Sequence, residues 1–334
     1  MEYPTILAER FGPRFRTQEP MHVHTNFRIG GPAQYYVEAR SVDEVRATIA
    51  FATQQRIPWV VFGGGSNTLV ADAGFPGIVI QLANREVTIS GTQVTAGAGA
   101  ITAAVARQAG EAGLTGYEWA VSLPGTIGGA VRGNAGCFGG ETKDVVREVQ
   151  VLRCSRAGEW QIDVLPAADC GFRYRHSIFK EQSEWVIVAA VLALAPGDAA
   201  QSRQRMADYL ARRKAKQPLE RPSAGCLFTN VELHRLTEAQ CAQLDAATGG
   251  TWRAVAHDGQ LPTGWIVEQS GCKGLRVGDA MISEKHGNFV VNLGHATAAD
   301  VMTLSDLVRE RVRAAWGIDL HEEVQRLGDG ASAH

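Results

Sequence analysis

Two glycine clusters are the first places where this chain could hold a ligand: GGGSNT (63–68) and SLPGTIGGAVRGNAG (122–136). Glycine tolerates positive φ and close backbone approach, so successive N–H groups can converge on an anion such as a pyrophosphate. Ser66, Asn67, Thr68 and Thr126 add side-chain donors. Either cluster alone could equally be a tight turn between strands. Two of them, each with polar residues attached, point to a nucleotide cofactor. GGGSNT lacks the GK[ST] ending of a P-loop, and no GxGxxG opens a helix with an acidic residue about 20 positions on. A P-loop NTPase and an ordinary Rossmann dehydrogenase are both disfavoured. A third stretch, RPSAGCLF (221–228), sets Cys226 between small and apolar residues. That setting suits a buried small hydrophobe or a thiol reacting beside a ligand.

The elements that must position these residues are legible in outline. SVDEVRATIAFATQQ (41–55) has helical periodicity behind a Ser41/Glu44 capping box, and IPWVVF then runs as a short strand into GGGSNT. GIVIQL, EVTIS and QVTAGAGA read as strands and TAAVARQAGEAG as a helix. REVQVLRCS, EWQIDVL and WVIVAAVLAL read as strands. DAAQSRQRMADYLARRKAK (198–216) is a basic helix ending before Pro218. Its Arg203, Arg205, Arg212, Arg213 and Lys214 read as a solvated face rather than a diphosphate site. TAADVMTLSDLVRERVRAAWG (297–317) is amphipathic, with Val301, Leu304, Val308, Val312 and Ala315 on one side. The class is α+β with mixed sheets, in three units: 1–75, 76–200 and 201–334.

Composition sets the remaining bounds. The 334 residues, 45% hydrophobic and 20% charged, suit a soluble protein of two or three domains. A formal net charge of −2 argues against broad electrostatic binding to nucleic acid. The N-terminus lacks the apolar run of a signal peptide, and WVIVAAVLALA (185–195) is shorter than the roughly 20 residues of a bilayer span. A cytoplasmic protein is expected. Cys137, Cys154, Cys170, Cys226, Cys241 and Cys272 form no CxxC pair and no zinc-type Cys/His cluster, so no structural metal is expected.

Taken in order, seven motifs resemble one family. They are TNFRIGGPA (25–33), VVFGGGSNTLV (60–70), SLPGTIGGAVRGNAGCFG (122–139), CGFRYRHSIFK (170–180), QPLERPSAGCLFTN (217–230), GWIVEQSGCKGLRVGDAMISEKHGNFVVN (264–292) and HEEVQRLG (321–328). The strand, GGGSN, PGTIGGA and NAG are similar to the FAD-binding fold of the vanillyl-alcohol-oxidase type. The whole set resembles the UDP-N-acetylenolpyruvoylglucosamine reductases of peptidoglycan synthesis, in the second type that lacks a substrate-covering insert.

The resemblance implies two FAD-binding subdomains holding the cofactor without a covalent bond, and a C-terminal α+β domain closing over the substrate. NADPH would reduce FAD. Hydride would then pass to C3 of UDP-N-acetylglucosamine enolpyruvate and a proton to C2, giving UDP-N-acetylmuramate. The cofactor residues implied are Gly63, Gly64, Gly65, Ser66, Asn67, Thr68, Ser122, Pro124, Gly125, Thr126, Gly128, Gly129 and Asn134. Arg175 would hold the substrate carboxylate together with Glu323, and Cys226 takes the position of the family's usual serine proton donor. Tyr174, Asn230, Gln269 and Lys273 are the substrate contacts implied, and a monomer is expected. This sequence departs from the family pattern at Asn26, Thr229 and Gln325, where threonine, lysine and arginine are usual. It is also longer than expected over 231–262. Lys285 and His286 also draw notice, but a lone histidine is more often structural.

Two other readings stand beside this one. An oxidase of the same fold often binds flavin covalently through a histidine, and GGGSNT and its flanks hold none. A non-catalytic nucleotide-binding relative would account for a cysteine at the donor position.

Overall fold

The first unit is a four-stranded sheet in the order Phe15–Pro20, Pro32–Ala39, Phe75–Leu82, Trp59–Phe62. The first two strands pair antiparallel and the other neighbours parallel. The crossover is the helix Val42–Gln55, which gives the βαβ opening read from the sequence. Ser41 Oγ accepts from Glu44 N–H at 3.2 Å, but the return half of the capping box is absent. The Glu44 carboxylate instead accepts from Arg40 N–H and grips Arg14, because a guanidinium offers two charge-assisted bonds. The structure is a computed structural model that describes residues 3–155 and 158–328.

The second unit is a five-stranded antiparallel sheet: Trp160–Pro166, Val146–Cys154, Val186–Ala193, Gln93–Gly97, Val87–Ser90. Helices Thr102–Glu111 and Ala199–Lys216 pack on one another beside the turn Glu118–Ser122. One apolar core joins both units, running from Ile49, Ile78 and Ile80 to Val94, Val105, Val149 and Ala190. Two boundaries therefore move. Phe75–Leu82 lies inside the first sheet, so that unit runs to Leu82 rather than to 75. Met206 of the basic helix is buried in the shared core, so the second unit runs to Lys216 rather than to 200. The outer ends of the expected first and third units lie outside the described residues.

The third unit has its own core, with helices Glu238–Thr248, Thr263–Gln269 and Ala298–Trp316 around a three-stranded sheet of Arg276–Val277, Ala280–Ile282 and Val290–Asn292. Thr297 and Asp300 form a reciprocal capping box on the last helix. Val301, Leu304, Val308 and Val312 are buried as the periodicity implies, but Ala315 is exposed and Trp316 takes its place. The indole brings far more apolar area to the core than a methyl, and both positions border the same stripe. The long 231–262 stretch is an integral part of this core. Leu244, Trp252 and Leu261 are buried, and Gln240 and Gln243 donate to the carbonyls of Gly317 and Ala315 at the last helix's C-terminus. Finally the chain returns to the first unit, where Gln325–Leu327 pairs parallel with Thr68–Val70.

The basic helix is fixed by a nearly buried carboxylate. Glu118 accepts from Thr115 Oγ1 at 2.7 Å, Ser202 Oγ at 2.8 Å, Gly116 N–H at 2.8 Å and Arg205. Burial alone would raise its pKa, but those donors outweigh burial and bring it to about 2 from an ordinary 4.5. A depressed carboxyl contributes stability that is complete above its unfolded pKa and is lost as pH falls toward the folded one. Glu118→Gln is expected to cost about 2 kcal/mol at neutral pH. That difference should shrink as pH falls from 4.5 toward 2. Urea unfolding at both ends of the range measures it, and an unchanged midpoint at pH 7 contradicts the assignment.

Candidate active site

The two glycine clusters meet. A Cβ on Gly64 would lie 3.0 Å from Gly125 Cα, and one on Gly125 would lie 2.6 Å from Ser66 Oγ. Ser66 Oγ donates to Pro124 O at 3.2 Å, tying the loops together. Gly65 has φ +61, and a Cβ there would collide with His24 O at 2.1 Å, so no other residue fits. Thr126 Oγ1 faces Gly63 from the opposite loop, 2.9 Å from where a Cβ would stand. It is buried and has no hydrogen-bond partner. A buried hydroxyl of this kind costs free energy unless a ligand completes it. A side-chain-free cradle with an orphaned donor fits the phosphate or ring edge of a dinucleotide such as FAD.

Other members of the two clusters have structural partners. Asn67 Nδ2 donates to Glu323 O at 3.1 Å, and Thr68 opens the strand that pairs with Gln325. Ser122 Oγ donates to Trp119 O and lies 3.3 Å from Cys137 Sγ. Gly128 sits against Ala98, and Gly129 lies near Thr126 Oγ1. Asn134 is fully buried at φ +41. It donates to Glu141 and to Arg173 O at 2.9 Å, and accepts from Lys143 N–H. Asn134 therefore anchors the turn that bears Arg175 rather than reaching into the cradle.

That turn is a two-residue connection closed by mutual backbone bonds of Arg173 and His176. Arg175 occupies it at φ +53, a left-handed conformation that a non-glycine residue adopts at a cost of about 1 kcal/mol or more. Its Nη2 donates to Gly136 O at 3.2 Å, and Lys180 Nζ donates to the Arg175 carbonyl at 2.7 Å. Arg175 Nε lies 2.9 Å from Glu323 Oε1, although its N–H is not aimed along that contact. The attraction is coulombic, and the guanidinium fork is not consumed by a bidentate pair.

Glu323 arrives with the returning C-terminal strand. Its N–H donates to Leu227 O at 2.8 Å, one residue past Cys226. The 226–228 segment is clamped from the other side by Asn288, whose O and Oδ1 accept from Leu227 and Phe228 N–H. Cys226 is half-buried, and protein crowds its sulfur. Burial pushes the thiol up to about 12, Glu323 adds to the rise, and Arg175 and Arg213 oppose it. The thiol is therefore protonated at neutral pH. A cavity of about 530 Å³ opens between the second and third units, lined by Tyr174, Arg175, Lys180, Asn230 and Arg235 among others, so that Arg175 connects it to the thiol's surroundings.

Sequence models match in the same places. The FAD binding domain matches residues 33–160, and the C-terminal domain of UDP-N-acetylenolpyruvoylglucosamine reductase matches 217–327. The reductase named so in Carboxydothermus hydrogenoformans is 36% identical over 325 residues, 97% of this chain and 97% of its own. That of Paramagnetospirillum magneticum is 40% identical, over 96% of this chain and 94% of its own. The chain belongs to the UDP-N-acetylenolpyruvoylglucosamine reductase family. The crystal structure of the reductase (MurB) from Thermus caldophilus agrees, with a TM-score of 0.72 at 31% identity, covering 94% of this chain and 98% of that one. As a member, the chain is an FAD- and NADPH-dependent oxidoreductase of peptidoglycan precursor synthesis, built on the expected FAD-binding fold with a C-terminal α+β domain.

Within this reductase the structure brings together Arg175, Glu323, Cys226 and both glycine loops, with Tyr174 and Asn230 at the cavity wall. Tyr174 Oη accepts from Asn230 N–H at 3.1 Å, bridging the second and third units. The Asn230 amide is already engaged with Gln260 and Thr263. Gln269 and Lys273 are not brought to this cavity. Gln269 is exposed at the end of its helix, and Lys273, in the turn beyond it, pairs with Glu268 at 2.7 Å. Lys285 donates to Lys214 O and His286 packs on Phe289. Arg213, read from the sequence as part of a solvated face, turns inward instead. It donates to Ser122 O and acts electrostatically on Cys226 and Cys137. The signal was present, since Ser202, Met206, Tyr209 and Arg213 recur at i, i+4, i+7 and i+11 on one inward face.

The cradle predicts two outcomes for purified protein. Gly65→Ala is expected to emerge without flavin absorbance, since its Cβ and its backbone angle both conflict with the fold. Thr126→Val, a near-isosteric change, should weaken FAD binding about tenfold, the value of one hydrogen bond. Titrating apoprotein with FAD measures both, and full retention by Thr126→Val would remove the hydroxyl from the site.

Proposed function

We propose that this chain reduces UDP-N-acetylglucosamine enolpyruvate to UDP-N-acetylmuramate with Cys226 as the proton donor and Arg175 and Glu323 as the carboxylate anchor. The observation that carries this reading is the convergence of the three side chains, from three separate segments, beside the glycine cradle. FAD held between the two glycine loops would, once reduced by NADPH, supply the hydride for C3 of the enolpyruvyl ether.

Adding hydride at C3 pushes negative charge onto the substrate carboxylate as an enolate-like species. Arg175 would stabilise that charge as a fixed cation in partly desolvated surroundings, where a cation is worth most. Glu323 holds the guanidinium from the other side. The proton must then reach C2. A thiol ionises near pH 8.5 in water and is a stronger acid than the alcohol of a serine. Burial beside Glu323 keeps this one protonated until donation. Arg175 and Arg213 then favour the thiolate that donation leaves. The donor is thus loaded at rest and stabilised after transfer.

The finer parts of the reading follow from the same chemistry. Tyr174 and Asn230 line the cavity that would take the nucleotide-sugar. The chain would act as a monomer in the cytoplasm. Among the described residues no helix is long and apolar enough to cross a membrane.

NADPH oxidation by the purified holoenzyme with and without UDP-N-acetylglucosamine enolpyruvate tests the whole reading, and no substrate-dependent turnover would sink it. Cys226→Ala is expected to slow reduction of the substrate about a hundredfold or more, the usual range for a lost general acid, while Cys226→Ser stays active. Arg175→Ala should cost about a hundredfold to a thousandfold. With the thiol pushed up to about 12, its ionisation lies above the working range. The pH–rate profile should therefore show no alkaline limb from Cys226 between about pH 7 and pH 10. A limb there that Cys226→Ser removes would contradict the protonated-donor assignment.

A further inference from the structure

Arg132 lies in the second glycine cluster, in the short helix Ile127–Gly133. Burial lowers its pKa, and no carboxylate pairs with it among the described residues. Its Nη1 donates to a neutral group, Gln325 Oε1, at 3.1 Å. A guanidinium has donors and no acceptor, so the amide oxygen of Gln325 must face it. The amide nitrogen is then turned the other way, where Gln325 Nε2 donates to Glu323 O at 3.0 Å. Asn67 Nδ2 supplies a second donor to the same carbonyl at 3.1 Å. The charge of Arg132 makes its bond to Gln325 roughly twice as strong as a neutral one, which fixes the amide's direction.

The same residue is tied to the segment that bears Arg175. Ser177 Oγ donates to Arg132 O at 2.6 Å, and Ser177 lies two residues past Arg175. Lys180, whose ammonium feels Arg132 as a repelling neighbour, holds the Arg175 carbonyl. Arg132 therefore reaches both arms of the ion pair, through its backbone to Arg175 and through its side chain to Glu323. Without a cation at 132, the Gln325 amide could turn over and present its oxygen to Glu323 O, which would repel it.

We propose that Arg132 is a positioning residue for substrate reduction, which dictates the orientation of the Gln325 amide and so holds Glu323 in register with Arg175. The inference rests on the reading of that pair as the carboxylate anchor.

Four variants of the holoenzyme test it: Arg132→Met, Arg132→Lys, Gln325→Met, and the exchange Arg132→Gln with Gln325→Arg, which keeps a donor aimed at Glu323 O. The readouts are flavin content, melting temperature, kcat, KM, and the rate at which UDP-N-acetylglucosamine enolpyruvate re-oxidises enzyme bleached by NADPH. Arg132→Met and Gln325→Met are expected to slow re-oxidation about tenfold to a hundredfold, the cost of a small misplacement, with KM changing less than about threefold. Arg132→Lys and the exchange should recover to within about threefold of wild type. Wild-type rates in Arg132→Met or Gln325→Met overturn the inference. An exchange variant or Arg132→Lys as slow as Arg132→Met overturns it too. Should Arg132→Met lose flavin, Gln325→Met decides alone, since it leaves the glycine cluster untouched. A wild-type chain without substrate-dependent turnover overturns the proposed function and this inference together, whereas wild-type turnover with unaffected variants overturns only this inference.

Discussion

Three residue pairs of parallel strand at the end of the chain hold the site together. Gln325, Arg326 and Leu327 lie against Thr68, Leu69 and Val70, immediately after the first glycine cluster. Leu69 belongs to the core of the third unit and Leu327 to that of the first, so the pairing stitches two cores across the cleft. It also fixes the position of Glu323, whose carbonyl accepts from Asn67 and whose N–H donates to Leu227. One backbone junction thereby connects the cofactor loop, the carboxylate and the thiol-bearing segment. Side chains remote in sequence become neighbours because each backbone is pinned separately, Arg175 by Lys180 and Glu323 by Asn67 and Leu227.

Around that junction the charges are arranged with a surplus of cations. Arg132, Arg175, Lys180 and Arg213 all border the site, and Glu323 is the carboxylate set among them. Buried cations without partners are costly unless an anion completes them. The substrate brings such a group in its carboxylate. Thiol protonation depends on the same balance. Crowding and Glu323 raise its pKa more than the two arginines lower it, so a residue that is often a thiolate beside arginine remains an acid here.

The sequence made most of the framework legible. Helices with strong periodicity and caps, such as Val42–Gln55 and Ala298–Trp316, fall where their patterns place them, since local propensity and apolar spacing agree. The departures arose where tertiary packing chose between similar local options. Trp316 rather than Ala315 fills the last turn, and Glu44 abandons its own cap for Arg14. Strand Phe75–Leu82 inserts between two earlier strands, so the boundary expected at 75 fell at the edge of a strand whose place only the sheet order reveals. The 231–262 stretch looked like an addition, yet its apolar residues are needed to cover the last helix.

By itself the sequence determined which groups the chain has for chemistry: two glycine clusters able to admit a dinucleotide, an arginine, a glutamate and a cysteine. It determined the family as well, because seven motifs in one order along nearly the whole chain do not coincide by chance. What each group does was decided by tertiary structure. Asn134 and Asn67, polar residues within the clusters, turn out to hold Arg175's turn and Glu323's backbone. Gln269 faces solvent and Lys273 is paired with Glu268, whereas Arg213 and Arg132 face the site. The protonation of Cys226 is likewise a sum of burial and three neighbouring charges. Such sums depend on distances between segments remote in sequence, and those distances exist only once the chain has folded.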